Sequence, residues 1–234
     1  TSSQTLEYLD VQDSNASTGV TLRCLNGCID SENNVNWIFP TPSVSGRAFG
    51  ADRTTPLANK TVAFAMDGSS TIDTTITDDN GGFALSGATM TGGEVISIFL
   101  DDEAEDGVLV LLGSGGSMTG MHLYQDHLVL RSESGSAAIT NSHISTADNG
   151  DNDIDAIYSV ASNDLTLQAG KQIYVWPGDT YNPGGAVTSP QVTINAGSSF
   201  TGDGSAINID GPLTVNGTFD QGASPLNVAG NVLI

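Results

Sequence analysis

Apolar and polar residues alternate in short runs along almost the whole chain, and turn residues separate the runs. In Val95-Ile96-Ser97-Ile98-Phe99-Leu100, Ile96 and Ile98 share one face of an extended segment. A period of two over a few residues predicts strands rather than helices. Residues 43–134 contain about seven strand candidates, several of which alternate: Val44–Ala51, Thr61–Asp67, Thr71–Thr77, Gly82–Ser86, Val95–Asp101, Val108–Leu112 and Met121–Leu130. Strands at this spacing with Gly-rich turns predict an antiparallel β-sandwich. Its centre is Gly46 to Gly87, where Pro56-Leu57-Ala58-Asn59-Lys60 turns the chain into the apolar run Thr61–Met66. Asn80-Gly81, between two alternating runs, predicts a β-hairpin.

The flanks read differently. Residues 1–42 hold LEYLDV, VTLRCLNG and NNVNWIF, punctuated by Asp13–Ser17 and Asp30–Asn34. Such runs fit the end coils of a parallel β-solenoid with Trp37 capping the stack; they also fit a sandwich with Trp37 in its core. Pro40 and Pro42 mark a boundary. In residues 135–234 a short unit recurs at irregular spacing: Leu165–Gly170, Val192–Gly197, Ile207–Gly211, Leu213–Gly217 and Leu226–Gly230. Repetition of one strand–turn unit predicts solenoid-like coils, although a β-meander gives similar strings. Ile154, Ile157, Tyr158 and Ala161 have helical spacing behind a run of Asp, so at most one short helix is expected. The expected fold class is all-β: a central antiparallel β-sandwich (43–134) flanked by solenoid-like strand segments (1–42 and 135–234).

Charge narrows the function. Against 6 Lys and Arg stand 27 Asp and Glu, a formal charge of -21. That balance excludes a nucleic-acid binder, which needs cations for phosphate, and disfavours anionic membrane surfaces. Membrane insertion is not expected either, because no run approaches the ~20 apolar residues that a spanning helix needs. An acidic surface suits a secreted, extracellular protein and divalent cations. Calcium takes six to eight oxygen ligands, and Asp148, Asp151, Asp153 and Asp155 supply carboxylates on one turn-rich loop. Asp101, Asp102, Glu103, Glu105 and Asp106 form a second acidic run, and Asp78 and Asp79 a third; a solvated acidic turn is the alternative for each. Cys24 and Cys28 flank Asn26-Gly27, a turn that predicts a disulfide and an oxidising exterior; two free thiols are the alternative. Tyr174, Trp176 and Tyr181 lie in a Pro/Gly-rich stretch where exposed rings could stack on a glycan, or where Trp176 packs under its own loop. No Ser-His-Asp or Cys-His pattern stands out, so no enzyme is expected. A β-helix polysaccharide-degrading enzyme with paired carboxylates is the catalytic alternative.

The phrases Gly46-x-Ala48-Phe49, Thr55-Pro-Leu-Ala-Asn-Lys-Thr-Val-Ala-Phe64 and Thr77-Asp-Asp-Asn-Gly-Gly-Phe-Ala-Leu85 resemble the carboxypeptidase-regulatory-like, transthyretin-like and Cna-B-like sandwiches. The likeness covers roughly Val44 to Leu112. With Asp13–Ser17, Asn33–Trp37 and Leu213–Phe219, the order of parts resembles large secreted bacterial surface proteins in which such modules alternate with β-solenoid stretches. The resemblance implies a non-catalytic structural or adhesive role in a filament, stalk or adhesin. Its partners would be copies of itself or neighbouring modules of a longer surface protein. Strand pairing would then use the runs near the ends, with Leu6, Tyr8 and Val11 on one side and Leu226, Val228, Val232 and Ile234 on the other.

Overall fold

The computed structural model describes residues 5–7, 9–19, 21–26, 29–30, 33–38, 43–87 and 90–234. They fall into two compact units, Thr1–Pro42 and Ser43–Ile234. Among the described residues the regular structure is almost all strand, as the strand-like pattern predicts.

The first unit is built of parallel pairs. β1 (Thr5–Glu7), β2 (Asp10–Val11), β3 (Leu22–Asn26), β4 (Ile29–Asp30) and β5 (Trp37–Ile38) alternate between two sheets, ordered β1-β3-β5 and β2-β4. Every pair is parallel, with Leu6 beside Cys24, Asp10 beside Ile29 and Leu22 beside Trp37. Asparagines tie the turns. Asn34 Nδ2 donates to Val11 O at 2.7 Å while its Oδ1 accepts from Ser14 N at 2.9 Å. Asn33 and Asn36 take positive φ, a conformation that Asn tolerates better than most residues. Trp37 is half-buried, and its indole N–H donates to Ser14 Oγ at 3.1 Å. Cys28 and Tyr8 lie outside the described residues, and with Cys28 the expected disulfide.

The second unit is organised by one nine-stranded sheet, ordered β25-β22-β19-β16-β13-β11-β10-β7-β8. Its strands are β7 (Thr61–Met66), β8 (Asp73–Ile76), β10 (Val95–Leu100), β11 (Val108–Leu112), β13 (His127–Ser132), β16 (Gln172–Val175), β19 (Gln191–Ile194), β22 (Leu213–Val215) and β25 (Val232–Leu233). From β11 to β25 the neighbours are parallel; β10, β7 and β8 continue the sheet antiparallel. Period two divides its side chains between two cores. Ala63, Phe99, Val108, Val110, Leu128, Ile173, Val192 and Leu213 point to one; Phe64, Ile96, Ile98, Leu109, Leu111 and Val129 point to the other. Burial on both faces explains the near-continuous apolar runs of β10 and β11.

The first core is the inside of a β-solenoid of about six turns. Besides the large sheet, its walls are the sheet of β14 (Tyr158–Ala161), β15 (Asp164–Leu167), β18 (Val187–Ser189), β21 (Ile207–Ile209) and β24 (Leu226–Val228), and the sheet of β17 (Thr180–Tyr181), β20 (Ser199–Thr201) and β23 (Thr218–Asp220). Ladder partners recur about every 19–21 residues, as in Gln172, Gln191 and Tyr181, Phe200, Phe219. The repeats seen in the sequence therefore occupy two walls. Val192 and Leu213 belong to the large sheet, and Leu165, Ile207 and Leu226 to the second. That is why their spacing is irregular while the coil is regular.

The second core lies under a sheet of β6 (Val44–Phe49), β9 (Gly82–Leu85) and β12 (Met118–Tyr124), ordered β12-β6-β9. The pairing across 43–134 is mixed rather than antiparallel throughout, because β6–β12 and β11–β13 are parallel. Asn80-Gly81 does not close a hairpin. β8 pairs with β7 in the large sheet and β9 with β6 in the small one, so the turn carries the chain between layers. Gly81 is needed there: its φ is +75°, and a Cβ would stand 2.3 Å from Ala48 O.

Among the described residues there are two short helices where at most one was expected. α1 (Asn141–Ala147) starts at Thr140, whose Oγ1 accepts from His143 N while His143 Nδ1 accepts from Thr140 N, each at 3.2 Å. α2 (Asn152–Asp155) is shorter than the apolar spacing suggested, because Tyr158–Ala161 is strand β14. Ile144, Ala147 and Ile154 join the solenoid core, so the helices close its first coils, α1 against β10 and β11 and α2 against β10.

Candidate functional site

Three places draw the sequence's candidate residues together. The first is acidic. Asp101, at the end of β10, meets Asp151 and Asp153 at the start of α2, with one carboxylate oxygen of each within 4.8 Å of the others. Two local features set this geometry. Asp151 caps α2 by accepting from Asp153 N at 3.0 Å, and Asp153 Oδ2 accepts from Asp102 N at 2.7 Å. The β10–β11 loop and the helix are thus joined through one carboxylate. Burial raises the pKa of Asp101, and the charges of Asp151, Asp102, Asp153 and Glu103 add to it. Burial likewise raises Asp153, with Asp151, Asp102 and Asp106 adding while the Asp102 N–H opposes. Three half-buried oxygen ligands that repel one another suit a hard divalent cation.

The predicted set is regrouped. Asp151 and Asp153 belong to the cluster, and Asp101 comes from the second acidic run. Asp148 instead accepts from Gly150 N at 2.9 Å. Asp155, exposed, lies two residues after Asp153 on a helical turn, about 200° round the axis. Three further members of the second run meet lysines: Lys60 Nζ lies 2.5 Å from Glu105 and 3.2 Å from Glu103, and Lys171 Nζ 2.7 Å from both Asp106 and Asp126. Asp78 Oδ1 accepts from Asn80 N and Gly82 N, so it builds the turn between layers.

The second place is aromatic. Tyr174 and Trp176 lie at the rim of the second core with His122, Tyr124 and Phe49, in edge-on or tilted contacts. Both rings already have partners. Tyr174 is 9% exposed with the Arg53 guanidinium 5.1 Å from its centroid, and Arg131 lies 4.7 Å from that of Trp176. Tyr181 is not with them. It is fully buried in the solenoid, edge-on to Phe200, with its hydroxyl donating to Asn141 Oδ1 at 2.5 Å. It offers no face to a glycan, and its removal from that set is a correction. Asn141 Nδ2 donates to Asn163 O and Ala186 O, so this buried amide pins α1 to the coils. Nothing in the sequence pattern marked Asn141; Tyr181, Phe200 and Phe219, each 19 residues after the last, were a legible sign of a stacked ladder.

The third place is the last coil. Leu226 and Val228, in β24, are half-buried and pack on β21; Val232, in β25, pairs with Leu213. Val232, Leu233 and Ile234 are 53%, 63% and 95% exposed. Of the N-terminal candidates, Leu6 pairs with Cys24 and Val11 is buried, both inside the first unit.

No protein-family model, curated protein or solved structure matches this chain.

Proposed function

We propose that this chain is an extracellular, non-catalytic structural module of a bacterial surface filament, stalk or adhesin. In this reading 43–134 is a sandwich-like brace fused to a solenoid, and calcium at Asp101, Asp151 and Asp153 locks the β10–β11 loop to α2. The observation that carries it is the nine-stranded sheet, which runs from the layered end into the last coil without a break. A sheet continuous over that length passes load through backbone hydrogen bonds rather than through a hinge. The acidic composition supports an exterior setting. β25 and β24 supply strand edges that accept the strands of a neighbouring module or of a second copy.

Negative-stain electron microscopy of the purified chain tests the assembly. Filaments are expected in millimolar calcium, and deletion of Leu226 to Ile234 should abolish them while the rest stays folded. Filaments that persist after the deletion would rule out strand donation from this coil.

A further inference from the structure

The outer face of the three-stranded sheet is a trough of about 520 Å³, lined by β6, β8, β9 and β12. Alternation puts Val44, Ala48, Phe83, Leu85, Met121 and Leu123 into the core and leaves Ser45, Arg47, Gly82, Ala84 and His122 on the outside. Register arranges them. Arg47 lies between Gly82 on β9 and His122 on β12, and Ser45 beside Ala84. Gly82 and Ala84 make a low floor. Thr75 and Ile76 of β8 line the trough as well, with Ile76 68% exposed.

Arg47 is the unusual member. Among the described residues of this unit, Lys60, Arg131 and Lys171 are in ion pairs, and Arg53 lies over Tyr174. Arg47 is exposed and makes no ion pair within 4 Å and no ring contact, in a chain whose formal charge is -21. Its charge adds to the backbone N–H groups that lower the pKa of nearby Asp78 and to the burial that lowers that of His122, and the fork of its guanidinium stays open. Around it are the hydroxyls of Ser45 and Thr75, the ring of His122 and the carboxylate of Asp78. Asp78 spends Oδ1 on two backbone N–H groups, which leaves Oδ2 to accept from a hydroxyl.

We propose that this trough binds an acidic oligosaccharide, with Arg47 holding the carboxylate of a uronate residue. A guanidinium presents a planar fork of donors that fits a carboxylate. Asp78, Ser45 and Thr75 meet the ring hydroxyls, and Ile76 covers an apolar ring face. An extended acidic peptide fits less well. The β6 backbone along the floor is spent in its ladders to β9 and β12, so strand addition, which needs free backbone partners, is confined to the outer edges of β8 and β9 at the side of the trough. The site lies apart from the last coil and does not depend on assembly.

The test is an ¹⁵N–¹H titration of the intact chain with trigalacturonate in calcium-free buffer, with maltotriose and hexaglutamate as controls. Saturable shifts confined to the trough residues are expected with trigalacturonate, and neither control should reproduce them. Arg47→Gln should weaken binding by about tenfold or more. Ala84→Tyr, which fills the floor without changing charge, should abolish it, and unchanged spectra elsewhere would verify the fold of each variant. The proposal is overturned by absence of shifts with trigalacturonate, by equal binding of maltotriose or hexaglutamate, or by full affinity in Arg47→Gln.

Discussion

His127 is fully buried in β13, with Nδ1 against Gln125 O and Nε2 without a hydrogen-bond partner. Burial pushes its pKa down to about 4. Between that value and the ordinary 6.5 the unfolded chain binds the proton more readily. Stability therefore falls as pH drops through 6.5, and the loss, about 3 kcal/mol, is complete below about 4. Asp179 acts in the opposite sense. Burial raises it to about 6, so its contribution is complete below 3.8 and is lost as pH rises through 6. Replacing His127 by Phe isolates the first effect. Urea midpoints should decline less between pH 7 and pH 4.5 in the variant than in the parent, whatever its absolute stability; parallel declines would contradict the assignment. Nothing in the sequence marks His127 as buried, because the sequence cannot show that a second layer covers β13. For the same reason Tyr181 resembles an exposed loop aromatic: a Pro/Gly-rich stretch looks the same whether its ring faces water or the axis of a coil.

Elements reveal close approaches that residues alone do not. Gly46 sits in β6 where a Cβ would stand 2.0 Å from Met121 O of the parallel neighbour β12. Gly46→Ala should therefore cost roughly 1–3 kcal/mol or more by urea denaturation, as overpacking does; an unchanged midpoint would contradict the close approach. The acidic cluster gives a prediction with two signs. Without calcium, Asp101→Asn removes like-charge repulsion and should raise Tm by roughly 2 °C. In millimolar calcium the parent should gain stability and the variant should not. Equal thermal shifts in both proteins would show that the ion, if bound, lies elsewhere.

Strands themselves were well marked, because an apolar run bounded by turn residues is a local signal: Val108–Leu112 matches β11 to the residue. Pairing was not. Asn80-Gly81 is a sound turn signal, but whether a turn joins neighbours or crosses between layers depends on the distant partners β6 and β7. Met121–Leu130 reads as one run although a turn at Gln125-Asp126, with Asp126 at positive φ, divides it into β12 and β13. The acidic cluster was partly legible, since Asp151 and Asp153 are neighbours in sequence while Asp101 arrives only through tertiary packing.

At the scale of the whole molecule, the ends of the solenoid are unlike. Near β10 its core is closed by α1 and α2. At the other end β23, β24 and β25 each have one neighbouring strand among the described residues. If the proposed assembly by strand pairing holds, these edges are the ones it uses. Sedimentation velocity of the intact chain beside a Val232→Lys, Leu233→Lys variant tests this most directly. Lysines on an exposed edge strand block edge pairing while leaving a fold intact. The account predicts large, concentration-dependent species for the parent and a monomer of unchanged Tm for the variant. A parent that stays monomeric at all concentrations, or a variant that assembles equally well, would contradict it.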